Sequence, residues 1–94
     1  MIIDDFVWLP DIIDKLVSKH QVTEDEAEEI FFNRPRFRFA ESGHRPDEDV
    51  YSAWGQTDAG RYLIAFFIHK SANTALILSA RDMDDKERQR YERK

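Results

Sequence analysis

Ninety-four residues suffice for one domain with a single core, here a single domain over 1–94 with a formal charge of -5 and no cysteine. The missing thiols exclude a disulfide framework, a thiolate metal site and a cysteine nucleophile, and they suit a reducing cytoplasm. An acidic chain is a poor nonspecific nucleic-acid binder, since that affinity rests on neutralising phosphates, so direct DNA binding by the chain alone is not expected. The charge is uneven: residues 1–58 carry six Lys/Arg against fourteen Asp/Glu, and residues 59–94 carry eight against five. A small positive site on an acidic body can still act locally, and the acidic half can attract a basic partner.

No apolar run is long enough to span a bilayer, and the N-terminus has no basic segment of the kind that opens a signal peptide, so neither is expected. Ile3 to Trp8 reads as a short opening strand with Phe6 and Trp8 on one side. Pro10 suits the first turn of a helix, and Ile12, Ile13, Leu16, Val17 and His20 follow at helical spacing. Thr23 with Glu26 forms a capping box that opens a second helix, and Asn33-Arg34-Pro35 ends it. From Arg36 the period changes to two, with Phe37 and Phe39 alternating against Arg36 and Arg38. Strands follow over 50–54, 62–68 and 74–80, the middle one apolar on both faces and therefore interior. Asp84 with Glu87 caps a last, basic helix. The fold class is α+β: a four-stranded antiparallel sheet, with or without the opening strand, two N-terminal helices and a C-terminal helix.

Arg61 and Arg81 close two conspicuous stretches, Gly55 to Arg61 and Leu78-Ser79-Ala80-Arg81. The runs between them read as a hairpin, which brings both residues to one end of the sheet. Regular alternation then places Arg61 with Leu63, Ala65 and Phe67, and Arg81 with Ile77 and Ser79, on one face. A guanidinium stays charged and offers a rigid fork of donors suited to phosphate. The expected arrangement is two guanidiniums holding one phosphate.

Five motifs occur in order: Trp8-Leu9-Pro10, Lys19-His20-Gln21-Val22, Gly55 to Arg61, Ser79-Ala80-Arg81, and Glu87-Arg88-Gln89-Arg90-Tyr91. From about Phe6 to Tyr91 the chain resembles the BrnT-like toxins of bacterial type II toxin–antitoxin systems. The resemblance implies a fold similar to RelE-type ribonucleases, RNA cleavage that halts translation, and a cognate DNA-binding antitoxin that covers the toxin. Cleavage of that type uses the RNA's own 2′-hydroxyl and needs no metal. The chain departs from the family at Ile12 and Leu16, where Lys and Asn are common, and at Val50, near where an arginine is expected.

On this reading Arg61 and Arg81 clamp phosphate, and His20 beside Lys19 serves in catalysis, since an imidazole titrates near neutrality. The alternative for Lys19 and His20 is that they close a helix against its negative end. Arg88, Tyr91 and Glu87 would bind substrate, though Glu87 is also the capping partner of Asp84. His44, near Glu41 and Asp47, is a weaker candidate. No spacing of histidines and carboxylates matches a zinc motif, so neither a metal nor another cofactor is expected. The function expected is an endoribonuclease toxin acting on RNA. The alternative is a non-enzymatic module of the same fold that binds a partner protein, favoured by the three departures and the acidic balance.

Overall fold

The computed structural model describes residues 1–93. α1 (Pro10–Lys15) starts with Pro10 in the first turn, where its missing N–H costs nothing. The helix widens into a π-helical turn, Leu16–His20, and stops at Gln21, whose φ of 51° is left-handed. α2 (Glu24–Glu29) opens on the expected capping box: the Thr23 hydroxyl accepts from the Glu26 N–H, and the Glu26 carboxylate accepts from the Thr23 N–H. α3 (Asp85–Glu92) repeats the device with Asp84 and Glu87. Among the described residues no helix is long and apolar enough to cross a membrane.

The sheet has five strands in the order β1-β5-β4-β3-β2: β1 (Asp5–Val7), β2 (Arg36–Glu41), β3 (Val50–Gln56), β4 (Tyr62–Lys70) and β5 (Thr74–Asp82). β2 to β5 form the expected antiparallel meander with β4 in the interior. The four-stranded antiparallel expectation is corrected at the edge, where β1 joins as a fifth strand and runs parallel to β5, Asp5 opposite Thr74 and Val7 opposite Leu76. No hairpin ties these two strands, because the chain leaves β1 through both helices and re-enters the sheet at the far edge. Direction is therefore free of turn geometry. Phe6 anchors the pairing, its ring meeting Phe31 and Phe32 edge-on at 5.0 and 5.9 Å.

The core lies between the N-terminal helices and one face of the sheet. Leu16, Val22, Ala27, Ile30 and Phe31 pack on Ala53, Leu63, Ala65, Phe67 and Ile77. Phe67 is fully buried, with Phe31 and Phe37 ring centroids at 5.3 and 5.9 Å. Two of the departures are packing choices: Leu16 is 2% exposed, and Ile12 packs against the same core. Gly55 lies directly under the end of α2, where a Cβ would meet the Ile30 carbonyl oxygen at 2.7 Å. Only glycine permits that approach.

β5 carries one residue too many for its partner. Phe66 pairs with Ser79 and Phe67 with Ile77, so Leu78 has no partner. One extra residue reverses the alternation of every side chain beyond it. Ile77 therefore faces the core with Phe67, whereas Ser79 and Arg81 face away with Phe66 and Ile64.

Candidate functional site

The bulge separates the two arginines. Arg61 precedes β4 on the face of Leu63 and Ala65, against the N-terminal helices, while Arg81 pairs with Ile64 on the other face. The expectation that both hold one phosphate is thus corrected: the guanidiniums share an end of the sheet but not a face.

Arg61 is a clamp between elements. Its Nε and Nη2 donate to the two Asp82 carboxylate oxygens at 2.7 and 3.0 Å. Nη1 donates to the Gln21 carbonyl at 2.6 Å and Nη2 to that of His20 at 2.8 Å, with Glu26 at 3.3 Å. One side chain therefore ties the end of β5, the end of the π-helical turn and the start of α2. The hydrogen bonds from Arg61 hold the Asp82 carboxyl below its ordinary range, and nearby His20 adds to that. Partial burial works against ionisation of Glu26, but its bonds to Thr23 and Arg61 outweigh burial and lower it too. The stretch from Gly55 to Arg61 is the turn that sets this clamp. Thr57 donates its N–H to the Arg61 carbonyl at 2.8 Å, its hydroxyl accepts the Arg61 N–H at 3.0 Å, and Gly60 takes a φ of 100°.

His20 and Lys19 belong to this helical side. His20 is half-buried and gives its carbonyl to Arg61, and Lys19 is exposed on the same turn. They do not join Arg81, so the expected catalytic group of Arg61, Arg81, His20 and Lys19 is divided between two faces. The cause is the same one-residue bulge.

The second face gathers the other candidates and two residues that were read only as strand. α3 crosses one end of it from β5 toward β2. Arg81 donates from Nη1 and Nη2 to the two Glu87 oxygens at 2.7 and 2.9 Å. Those bonds hold the Glu87 carboxyl at about 2, from an ordinary value of 4.5. The Arg88 guanidinium lies 4.2 Å from the Tyr62 ring centre, and the Tyr91 hydroxyl donates to the Arg34 carbonyl at 3.1 Å.

Arg36 pairs with Trp54 and Arg38 with Ser52, which places both β2 arginines on this face. Arg36 lies 5.4 Å from the Tyr91 ring centre, Arg38 5.0 Å from that of Trp54, and Arg81 5.8 Å from that of Phe66. One cross-strand row runs Arg36, Trp54, Ile64, Arg81. Arginines interleaved with aromatics suit phosphate and stacked bases alike. The alternation that turns Phe37 inward contained the signal, since it turns Arg36 and Arg38 outward. Among the described residues no three His, Cys, Asp or Glu side chains gather as a metal-holding group, and His44 is exposed in the loop after β2.

With this geometry, the chain matches the family described as "Ribonuclease toxin, BrnT, of type II toxin-antitoxin system" over residues 8–87. It is also similar to the solved Brucella abortus ribonuclease toxin BrnT, with a TM-score of 0.64 and 14% identity, covering 87% of this chain and 100% of that one. At that identity the likeness is one of fold. No curated protein matches the chain. The family match runs from Trp8, ahead of α1, to the Glu87 that pins Arg81. The chain belongs to the BrnT family of ribonuclease toxins of type II toxin–antitoxin systems.

Proposed function

We propose that this protein cleaves RNA on the sheet face that carries Arg36, Arg38 and Arg81, without a metal, and so stops translation in the cytoplasm. The observation behind the reading is that face itself: on a chain of net charge -5, four arginines each lie over an aromatic ring on one side of the sheet. The 2′-hydroxyl of a bound nucleotide attacks the adjacent phosphorus as its proton passes to water. The P–O5′ bond breaks as the 5′-oxygen takes a proton from water, leaving a 2′,3′-cyclic phosphate and a free 5′-hydroxyl on the departing strand. The guanidiniums hold the backbone in line and offset the charge that grows on the phosphoryl oxygens. Glu87, held ionised, keeps Arg81 in place until a phosphate competes for it. Arg88 and Tyr91 border the same face and contact the strand, whereas Arg61, His20 and Lys19 serve the scaffold.

The alternative, a partner-binding module without cleavage, has one observation in its favour: Arg81 is closed bidentately by Glu87. In either case the family implies a cognate antitoxin. On our reading it is a small DNA-binding protein that covers the arginine face. Purified protein incubated with RNA in excess chelator decides between them. Cleavage ending in 2′,3′-cyclic phosphate, abolished by Arg81→Ala in a folded variant, supports the enzyme. Intact RNA under those conditions supports the module.

A further inference from the structure

A cavity of about 470 Å³ lies where the end of α2, the β3–β4 turn and α3 meet, lined by Phe32, Asn33, Arg34, Gln56, Asp58 and Tyr91 among others. That volume falls within the range of small-molecule sites. A second cavity of about 260 Å³ shares Arg34, Gln56 and Tyr91 with it and adds Arg36 and Tyr62. The two cavities adjoin at these shared residues, the second on the side of Arg36.

The polar groups of the first cavity are already sorted by their internal bonds. Asn33 donates its amide hydrogens to the Gln56 carbonyl at 3.0 Å and to Asp58 Oδ1 at 2.7 Å. Gln56 donates from Nε2 to the Gly60 carbonyl at 3.0 Å. Both amides therefore have acceptor oxygens to spare, and a carboxylate such as that of Asp58 accepts only. The single cation in the lining is Arg34, which is exposed and makes no ion pair among the described residues. Phe32 is 61% exposed, its ring edge-on to Phe6 at 5.9 Å and its outer surface open to the cavity.

Acceptor side chains between aromatic walls favour a flat ligand that presents neighbouring donors. Among RNA bases guanine does so, with N1–H and the N2 amino group side by side on its Watson–Crick edge. Uracil offers one N–H flanked by two carbonyls, which these acceptors would repel. We propose that this cavity takes an unpaired guanine of the RNA, with Asp58 reading its Watson–Crick edge, Phe32 supplying a stacking surface, and Arg34 with Arg36 meeting the flanking phosphates. The inference rests on the RNA-cleaving reading and adds to it a sequence preference held in a place none of the family motifs' arginines occupies.

The test uses the full chain and 2′-O-methyl hexaribonucleotides, which cannot be cleaved, of uridine with one central guanine, inosine, adenine or cytosine. Inosine lacks only the N2 amino group. Wild type binds the guanine oligomer about tenfold more tightly than the inosine one, as the loss of one hydrogen bond to a charged acceptor requires. Asp58→Asn, which keeps an oxygen for Asn33, closes that gap to about twofold or less and does not weaken binding of the other oligomers. Phe32→Ala, at an exposed ring, lowers affinity for every oligomer together by about tenfold, as loss of one stacked base does. Equal binding of guanine and inosine by wild type, or an undiminished gap in Asp58→Asn, overturns the proposal. So does a pocket whose variants change only antitoxin binding, for it would then be a partner's site. Guanine-selective binding with no cleavage of unmodified RNA sinks the ribonuclease reading alone, while cleavage without base preference sinks the pocket alone.

Discussion

Arg61 and Arg81 end up on opposite faces of one hairpin because Leu78 stands unpaired between them. Their partners differ accordingly. Arg61 is bound by two carboxylates and two helix-end carbonyls, and Arg81 by one carboxylate beside an aromatic ring.

Arg61→Ala and Arg81→Ala should therefore fail in different ways. Loss of Arg61 leaves two carbonyls and two carboxylates without their donor, and a cost of about 2–3 kcal/mol is expected. Loss of Arg81 removes a partly exposed pair and costs about 1 kcal/mol or less. Denaturant unfolding reads the difference. Cleavage per folded molecule should survive the first substitution and fall by about 100-fold or more in the second, as loss of one charge-stabilising donor does. A folded Arg81→Ala variant with full activity would remove Arg81 from the site.

Acid should weaken the tie between β5 and α3. Glu87 titrates at about 2 in the folded protein against 4.5 ordinarily, so it binds a proton more readily when unfolded. Its contribution to stability is present above about pH 4.5 and is lost as pH falls toward 2. Asp82 and Glu26 are lowered as well and act in the same direction. The melting temperature should drop across that window, and Glu87→Gln should flatten part of the drop. An identical acid profile in wild type and variant would show that the pair adds nothing to stability.

Arg38 is the cleanest probe of the open face, being exposed and free of ion pairs among the described residues. Arg38→Ala should lower RNA affinity and reduce the slope of log K against log salt by about 1, with the melting temperature nearly unchanged. Arg45→Ala, in the loop after β2, serves as the control for a charge outside the face. Equal salt slopes in Arg38→Ala and wild type would mean that the strand does not cross β2.

The antitoxin should inhibit by covering the arginine face rather than by reshaping it. In a purified complex, hydrogen exchange should slow in β2 and α3, and RNA should compete with the antitoxin. Protection confined to α1 and α2, with inhibition intact, would place the partner on the acidic side and end the occlusion account.

The parts of the fold that rest on neighbouring residues were legible in the sequence. Both capping boxes, Pro10 at a helix start, the switch of period at Arg36 and the interior strand at 62–68 are each written within a few residues, and all appear in the structure. The family was legible too, through five short motifs in order, and the family match covers residues 8–87. What the sequence did not reveal depends on long-range contacts. β1 joins β5 in parallel with Phe6 half-buried against Phe31 and Phe32, and no turn announces that pairing. The bulge at Leu78 has no local mark, since Leu76, Ile77 and Leu78 are all apolar and either register buries something. Only packing against Phe67 selects which of them enters the core, and that choice sends Arg81 to the far face, the one that carries Arg36 and Arg38. Sequence determined where the arginines fall along the chain; one unpaired leucine, fixed by the core, decided which of them share a face.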